Sequence, residues 1–156
     1  MPRLEELSEI TRKTLLSLPC FDQDEAPAAT MRDSLAKSKL ALVTTAGVHL
    51  RNDHPFTAGD QSFRVFSSSA GITDIIQSHT SIGFDRSAFM EDINVSVPLE
   101  RLRELVEQNV VGSLAKNFYS FMGAQRNPRR IADETAPEVG RLLVAEGVDV
   151  VLLTPS

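Results

Sequence analysis

Apolar residues recur among charged ones at the amino end of the chain. Leu4, Leu7, Ile10, Leu15 and Leu18 fall on roughly one face of a helix over residues 4–18. Pro19 ends it, because proline cannot donate the next backbone hydrogen bond. Residues 20–30 are acidic, hold Pro27 among alanines, and read as a tether. The period then changes. Lys39–Thr45 (KLALVTT) is β-branched and apolar and breaks at Gly47, which predicts a buried strand. Ser62–Ser67 sets Phe63 and Val65 against Arg64 and Phe66, which predicts a second strand. Ser67–Gly71 reads as a loop and Gly71–Ser78 as a short helix. His79–Ser96 has no clean period, the pattern of a functional loop and equally of an ordinary connection.

Pro98–Asn109 is the clearest helix. Proline stands at its start, where a missing N–H costs nothing, and Leu99, Leu102 and Val106 make its apolar face. Asn127–Gly147 predicts a further helix, or two, with Asn127 as N-cap, a break at Pro137 and Gly147 as the stop. Val148–Leu153 (VDVVLL) is nearly all apolar and predicts a strand covered on both faces. This order of strands and helices predicts an α/β fold: a single layered domain with a mainly parallel sheet flanked by helices, Rossmann-like. Residues 1–30 form the helix and tether, and residues 31–156 the α/β domain. No repeat, P-loop or G-x-G-x-x-G occurs.

Composition narrows the function classes. The 156 residues suit one domain, and 42% apolar with 24% charged is ordinary globular usage. The net charge of -5 argues against nucleic acid, whose binding relies on clustered Lys and Arg. Arg129-Arg130 is too short a basic run to change that. No segment approaches the ~20 apolar residues that span a bilayer. The amino end carries Glu5, Glu6 and Glu9 and does not read as a signal peptide, so a cytoplasmic setting is expected. Cys20, the one cysteine, can form neither an internal disulfide nor a cysteine-rich zinc site. It lies before Asp22, Asp24 and Glu25, whose charge raises a thiol pKa, so it reads as a packing residue rather than a nucleophile.

His49, His54 and His79 are the only histidines, and Arg51, Asp53, Asp85 and Asp92 lie in the same two blocks. Imidazole moves protons near neutral pH, and carboxylates orient it or bind an ammonium group. A metal-dependent hydrolase-like use of this His/Asp set stays open, although the spacing matches no compact zinc motif. A hydrogen-bonded structural histidine is the bland reading of His79, and a turn or cap that of Asn94. Gly47, Gly59, Gly83, Gly112 and Gly123 stand beside element ends and are expected at positive φ. Tyr119, between Phe118 and Phe121, reads as core.

Longer strings carry more. Ala41-Leu-Val-Thr-Thr-Ala-Gly-Val-His-Leu50, His54-Pro-Phe56, Gly59-Asp60 and Ser62-Phe63-Arg64 resemble the selenoprotein B family of glycine, sarcosine, betaine and D-proline reductases. His79-Thr80-Ser81, Phe84-Asp85, Glu91-Asp92-Ile93-Asn94, Pro98–Leu102 and Glu104-Leu105 are similar to its central block. Gly112-Ser113-Leu114, Ser120-Phe121-Met122-Gly123, and Val148-Asp149 with Leu152–Pro155 continue the likeness, which covers roughly residues 36–156.

The resemblance implies a reductase subunit that cleaves a C–N bond of an amino acid or amine with dithiol-derived electrons, alongside a partner reductase subunit. Within its blocks His54, His79, Asp85 and Asp92 become the candidates for substrate or proton handling. No dissociable cofactor and no metal are expected. The redox residue, selenocysteine or cysteine, is expected just beyond Ser156, so this chain alone is expected to be inactive. A selenocysteine codon read as a stop would generate such an ending. A non-catalytic α/β subunit that binds a small molecule or a partner is the alternative, and a homo-oligomer is compatible with either.

Overall fold

The computed structural model describes residues 3–17, 29–81 and 86–155. In chain order the elements are α1 (Glu9–Leu16), β1 (Lys39–Thr44), β2 (Val48–Leu50), β3 (Phe63–Ser67), β4 (Ile75–Gln77), α2 (Ser87–Glu91), α3 (Leu99–Glu107), β5 (Ser113–Leu114), β6 (Asn117–Phe121), α4 (Ala136–Ala145) and β7 (Val150–Thr154). Short 3-10 turns precede α1, β1, β4 and α3, and a π-helical turn, Ile131–Thr135, leads into α4.

β1 is the centre of a mixed, mainly parallel sheet. It pairs in parallel with β7 along one edge and with β5, then β6, along the other. β3 closes the sheet antiparallel to β6. The register slips by two residues between Leu40↔Leu114 and Val43↔Tyr119, so the chain bulges from Ala115 to Asn117. Glu146, at the end of α4, supplies what the bulge loses. Its carboxylate accepts from the Lys116 amide and from the Asn117 amide at 3.4 Å and side-chain nitrogen at 3.3 Å. The two-stranded ribbon β2–β4 joins the sheet where the Val48 amide donates to Ser120 Oγ at 2.9 Å.

Register assigns the two sheet faces. Leu40, Leu42 and Thr44 stand opposite Val150, Leu152 and Thr154, so these six share a face. The hydroxyls of Thr44 and Thr154 both donate to the Ser96 carbonyl, at 3.3 and 2.9 Å, which makes this the α3 face. Ala41 and Val43 share the other face with Val151, Leu153 and Tyr119. There Phe63 sets its ring 5.9 Å from both Tyr119 and Phe121. The crossover through α3 leads from β1 toward β5 and β6, and the one through α4 leads from β6 back past β1 to β7; being right-handed and opposite in direction, they put α4 on this second face. Glu146 and burial together raise the Tyr119 phenol above its ordinary pKa, burial being the larger cause.

The expectations for β1, β3 and the helices around Leu102 and Leu143 agree with this fold. α3 buries Leu99 and Leu102 and half-buries Val106. Pro137 stands in the first turn of α4, and Gly147 leaves it at φ +73°. Four expectations need correction. The amino-terminal helix forms as a 3-10 turn and α1, but its apolar stripe is not packed: Ile10 is 80% exposed. The predicted helix at Gly71–Ser78 is a 3-10 turn followed by β4, because Ile75 and Ile76 find a ladder partner in β2. β7 is not covered on both faces, since Val151 and Leu153 are exposed. Gly112 and Gly123 do not take positive φ, whereas Gly47 and Gly59 do. Gly112 is needed for close approach, since a Cβ there would stand 2.9 Å from the carbonyls of Ala36 and Ser38. Gly83, Cys20 and the residue 20–28 part of the tether lie outside the described residues.

Candidate functional site

Open α/β sheets bind ligands beyond the carboxyl ends of their strands. Here those ends are Thr44 of β1, Phe121 of β6 and Thr154 of β7. The Gly123 amide donates to the Thr45 carbonyl at 2.9 Å, and Thr45 N–H donates to the Thr154 carbonyl at 3.1 Å. Three strand ends are thus laced side by side.

β3 runs antiparallel to β6, so the loop before it arrives at the same end. Arg64 organises that loop. Its guanidinium donates to the His54 carbonyl at 2.8 Å, to Ser62 Oγ at 2.7 Å and to the Asp60 carboxylate at 3.0 Å, and stacks 4.4 Å from the Phe56 ring centre. The Asp60 carboxylate also accepts from the Ser62 amide and hydroxyl. Burial alone would raise the Asp60 pKa, but the Ser62 hydrogen bonds and the Arg64 charge outweigh it and hold the group below the ordinary carboxylate value. Gln125, just past β6, donates to the Asp60 carbonyl at 2.8 Å and fastens the loop to the sheet end.

The His79 segment meets the same place from above β2. The Phe56 amide donates to Ser78 Oγ at 2.7 Å, and the Ser78 amide donates to the Gly47 carbonyl at 2.9 Å. Gly47 has φ +63°, and a Cβ there would lie 3.1 Å from His79 Cα, so glycine is required for both conformation and space. Thr80 Oγ1 lies 3.0 Å from Met122 Sδ. His79 is 1% exposed. Burial, with a smaller contribution from the Arg86 guanidinium, lowers its pKa below the ordinary imidazole value. Its Nδ1 accepts from the Ser81 amide at 3.2 Å, so the neutral ring carries its proton on Nε2.

The four candidates therefore differ in surroundings. His54 is exposed on the Arg64-held loop, and the Phe56–Ser78 hydrogen bond ties that loop to the segment of buried His79. Asp92 is exposed and belongs to another turn: its Oδ1 accepts from the Asn94 amide and side chain, both at 2.9 Å, and Asn94 continues to Glu100. Those bonds to Asn94, with a lesser effect of Arg101, hold Asp92 below the ordinary carboxylate pKa. No described contact joins Asp92 to either histidine. Asp85 lies outside the described residues. His49, outside the four candidates, is also buried; its Nδ1 donates to the Leu50 carbonyl at 2.8 Å. Among the described residues no group of three or more His, Cys, Asp and Glu gathers as a metal site. Among the same residues no helix is long and apolar enough to cross a membrane.

Arg64, Ser62, Gln125 and Thr154 were not singled out from sequence as site residues. Arg64 had only its place in the Ser62-Phe63-Arg64 string as a signal. Several of the strings share a feature: residues 44–47, 54–56, 59–64, 79–81, 120–123 and 154 converge on one end of one sheet, whereas Gly112-Ser113-Leu114 and Val148-Asp149 lie at the other end beside Lys39.

Comparison with known proteins gives the family. The model of the glycine/sarcosine/betaine reductase selenoprotein B family matches residues 4–156, and the chain belongs to that family. Among curated proteins it is 41% identical over 116 residues to the D-proline reductase subunit gamma of Acetoanaerobium sticklandii, covering 74% of this chain and 47% of that one. It is 31% identical over 157 residues to the glycine reductase complex component B subunit gamma of Peptoclostridium acidaminophilum, covering 91% and 33%. The sarcosine reductase complex component B subunit beta of the same organism is 32% identical over 154 residues, with the same two shares. The chain thus spans between a third and a half of the length of these relatives. No solved structure gives a significant match.

Proposed function

We propose that this chain is the α/β part of a selenoprotein B-type reductase subunit, and that the carboxyl end of its sheet is the face where substrate meets the redox residue. The convergence of several of the family strings on that end supports the reading. The reaction class is reductive cleavage of a C–N bond in an amino acid or amine. It consumes two electrons and two protons; a dithiol supplies both and becomes a disulfide, while the nitrogen leaves as ammonia or an amine. A selenocysteine or cysteine beyond Thr154-Pro155-Ser156 would supply the nucleophile. The described residues would bind and orient the substrate. His79, neutral and buried, is suited to donate a hydrogen bond from Nε2. His54 lines the rim, and Asp92, charged at neutral pH, attracts an ammonium group. The relatives are subunits of reductases, so a partner subunit is part of the proposal.

The test is dithiol-driven reductive cleavage of glycine, sarcosine, betaine or proline, with partner subunit supplied. The 156-residue chain is assayed beside a form extended with selenocysteine or cysteine after Ser156. Turnover by the extended form alone is expected, and His79→Ala in it should lower kcat/KM by about 100-fold. Robust turnover by the short chain, abolished by Cys20→Ser, would overturn the reading.

A further inference from the structure

The outer edge of β7 is built to receive another strand. Natural sheets blunt their edges with lysine, proline, bulges or a covering helix. Val150–Thr154 (VVLLT) has no charge and no proline, and it runs in continuous register with β1 over all five residues. The Thr154 carbonyl accepts from Thr45, so Val150, Leu152 and Thr154 direct their backbone groups toward β1. The N–H and C=O groups of Val151 and Leu153 point outward, and among the described residues no strand pairs with them. The side chains tell the same story. Val151 and Leu153 are 38% and 68% exposed, and they lie on the face of the sheet that carries Tyr119.

We propose that this edge and strip are the docking surface for one strand, with its following helix, from the part of the family polypeptide that the 156 residues do not represent. That part amounts to half or more of each relative described above, so the family holds ample chain to fill the place. A parallel strand on β7 would satisfy the Val151 and Leu153 backbone. The helix that accompanies such a strand would cover Leu153, as α3 and α4 cover β1. The proposal rests on family membership and the open edge, and is independent of how the carboxyl-end residues act in catalysis.

The experiment compares amide hydrogen exchange in two proteins. One is the 156-residue chain, with its mass checked by light scattering. The other is the D-proline reductase relative with its matched region replaced by this chain; the same unmatched region co-expressed as a separate tagged chain is the second format. In the isolated chain the Val151 and Leu153 amides should exchange freely. In the longer protein, or in the co-purified complex, they should slow by about 100-fold. Leu153→Lys should leave thermal unfolding of the isolated chain unchanged and cut that protection about tenfold. Failure of both formats to give a folded assembly, or an assembly in which the two amides exchange as freely as before, overturns the proposal. So does a dimer of the 156-residue chain that already protects them, which would make a second copy the occupant.

Discussion

Replacing Arg64 by alanine tests whether one guanidinium holds the loop that borders the carboxyl end of the sheet. The ion pair it makes with Asp60 has side chains only 12% and 17% exposed. Deleting one member of a buried pair costs ~3–5 kcal/mol, largely because the other charge is stranded. Here Asp60 keeps two hydrogen bonds from Ser62, which lowers the cost. The His54 carbonyl loses its donor, and the Phe56 ring loses a stacked cation, adding roughly 1–2 kcal/mol together. A destabilisation of about 3 kcal/mol follows, a large share of the ~5–15 kcal/mol that holds a domain together.

Urea unfolding followed by circular dichroism at pH 7 measures it. Arg64→Lys keeps the charge but not the fork that reaches several acceptors, so it should recover less than half of the loss. The pH dependence has a definite sign. Asp60 has its folded pKa depressed, so its contribution is present above the unfolded value near 4 and is lost as pH falls through the folded value. The gap between the native chain and Arg64→Ala should therefore narrow below about pH 4. A loss under about 1 kcal/mol at neutral pH would refute the claim that Arg64 organises the loop.

Leu102, 3% exposed on the buried side of α3, should cost roughly 2–5 kcal/mol on truncation to alanine, read from denaturant midpoints; a change under about 0.5 kcal/mol would show that the helix packs another face. Gly47→Ala meets both a positive φ and the His79 backbone at 3.1 Å, so it should lose more than ~1 kcal/mol and shift the His79 ring signals in a proton spectrum. An unshifted His79 would mean that the turn after β1 does not position it.

Local signals were enough for β1, β3 and α3, and for a helix within Asn127–Gly147 that forms as α4, because each buries apolar side chains on a neighbour that it meets in almost any compact arrangement. Leu99 and Leu102 three apart, and the unbroken run Leu40–Val43, leave little choice of partner. Several of the family strings meet at the carboxyl end of the sheet, and Gly112-Ser113-Leu114 with Val148-Asp149 meets Lys39 at the other. Other features depended on long-range pairing, which one segment does not encode. Asn117–Phe121 becomes a central strand only because β1 and β3 both pair with it, and its bulge survives only because Glu146 reaches the amides that lost ladder partners. Ile75–Gln77 is a strand because β2 offers it an edge. Arg64 gained its role from the folding back of the loop, which set His54, Phe56, Asp60 and Ser62 around one side chain. Composition made Val150–Leu153 look fully covered. Coverage depends on which elements lie beyond a strand, and only the sheet order puts this one at an open edge.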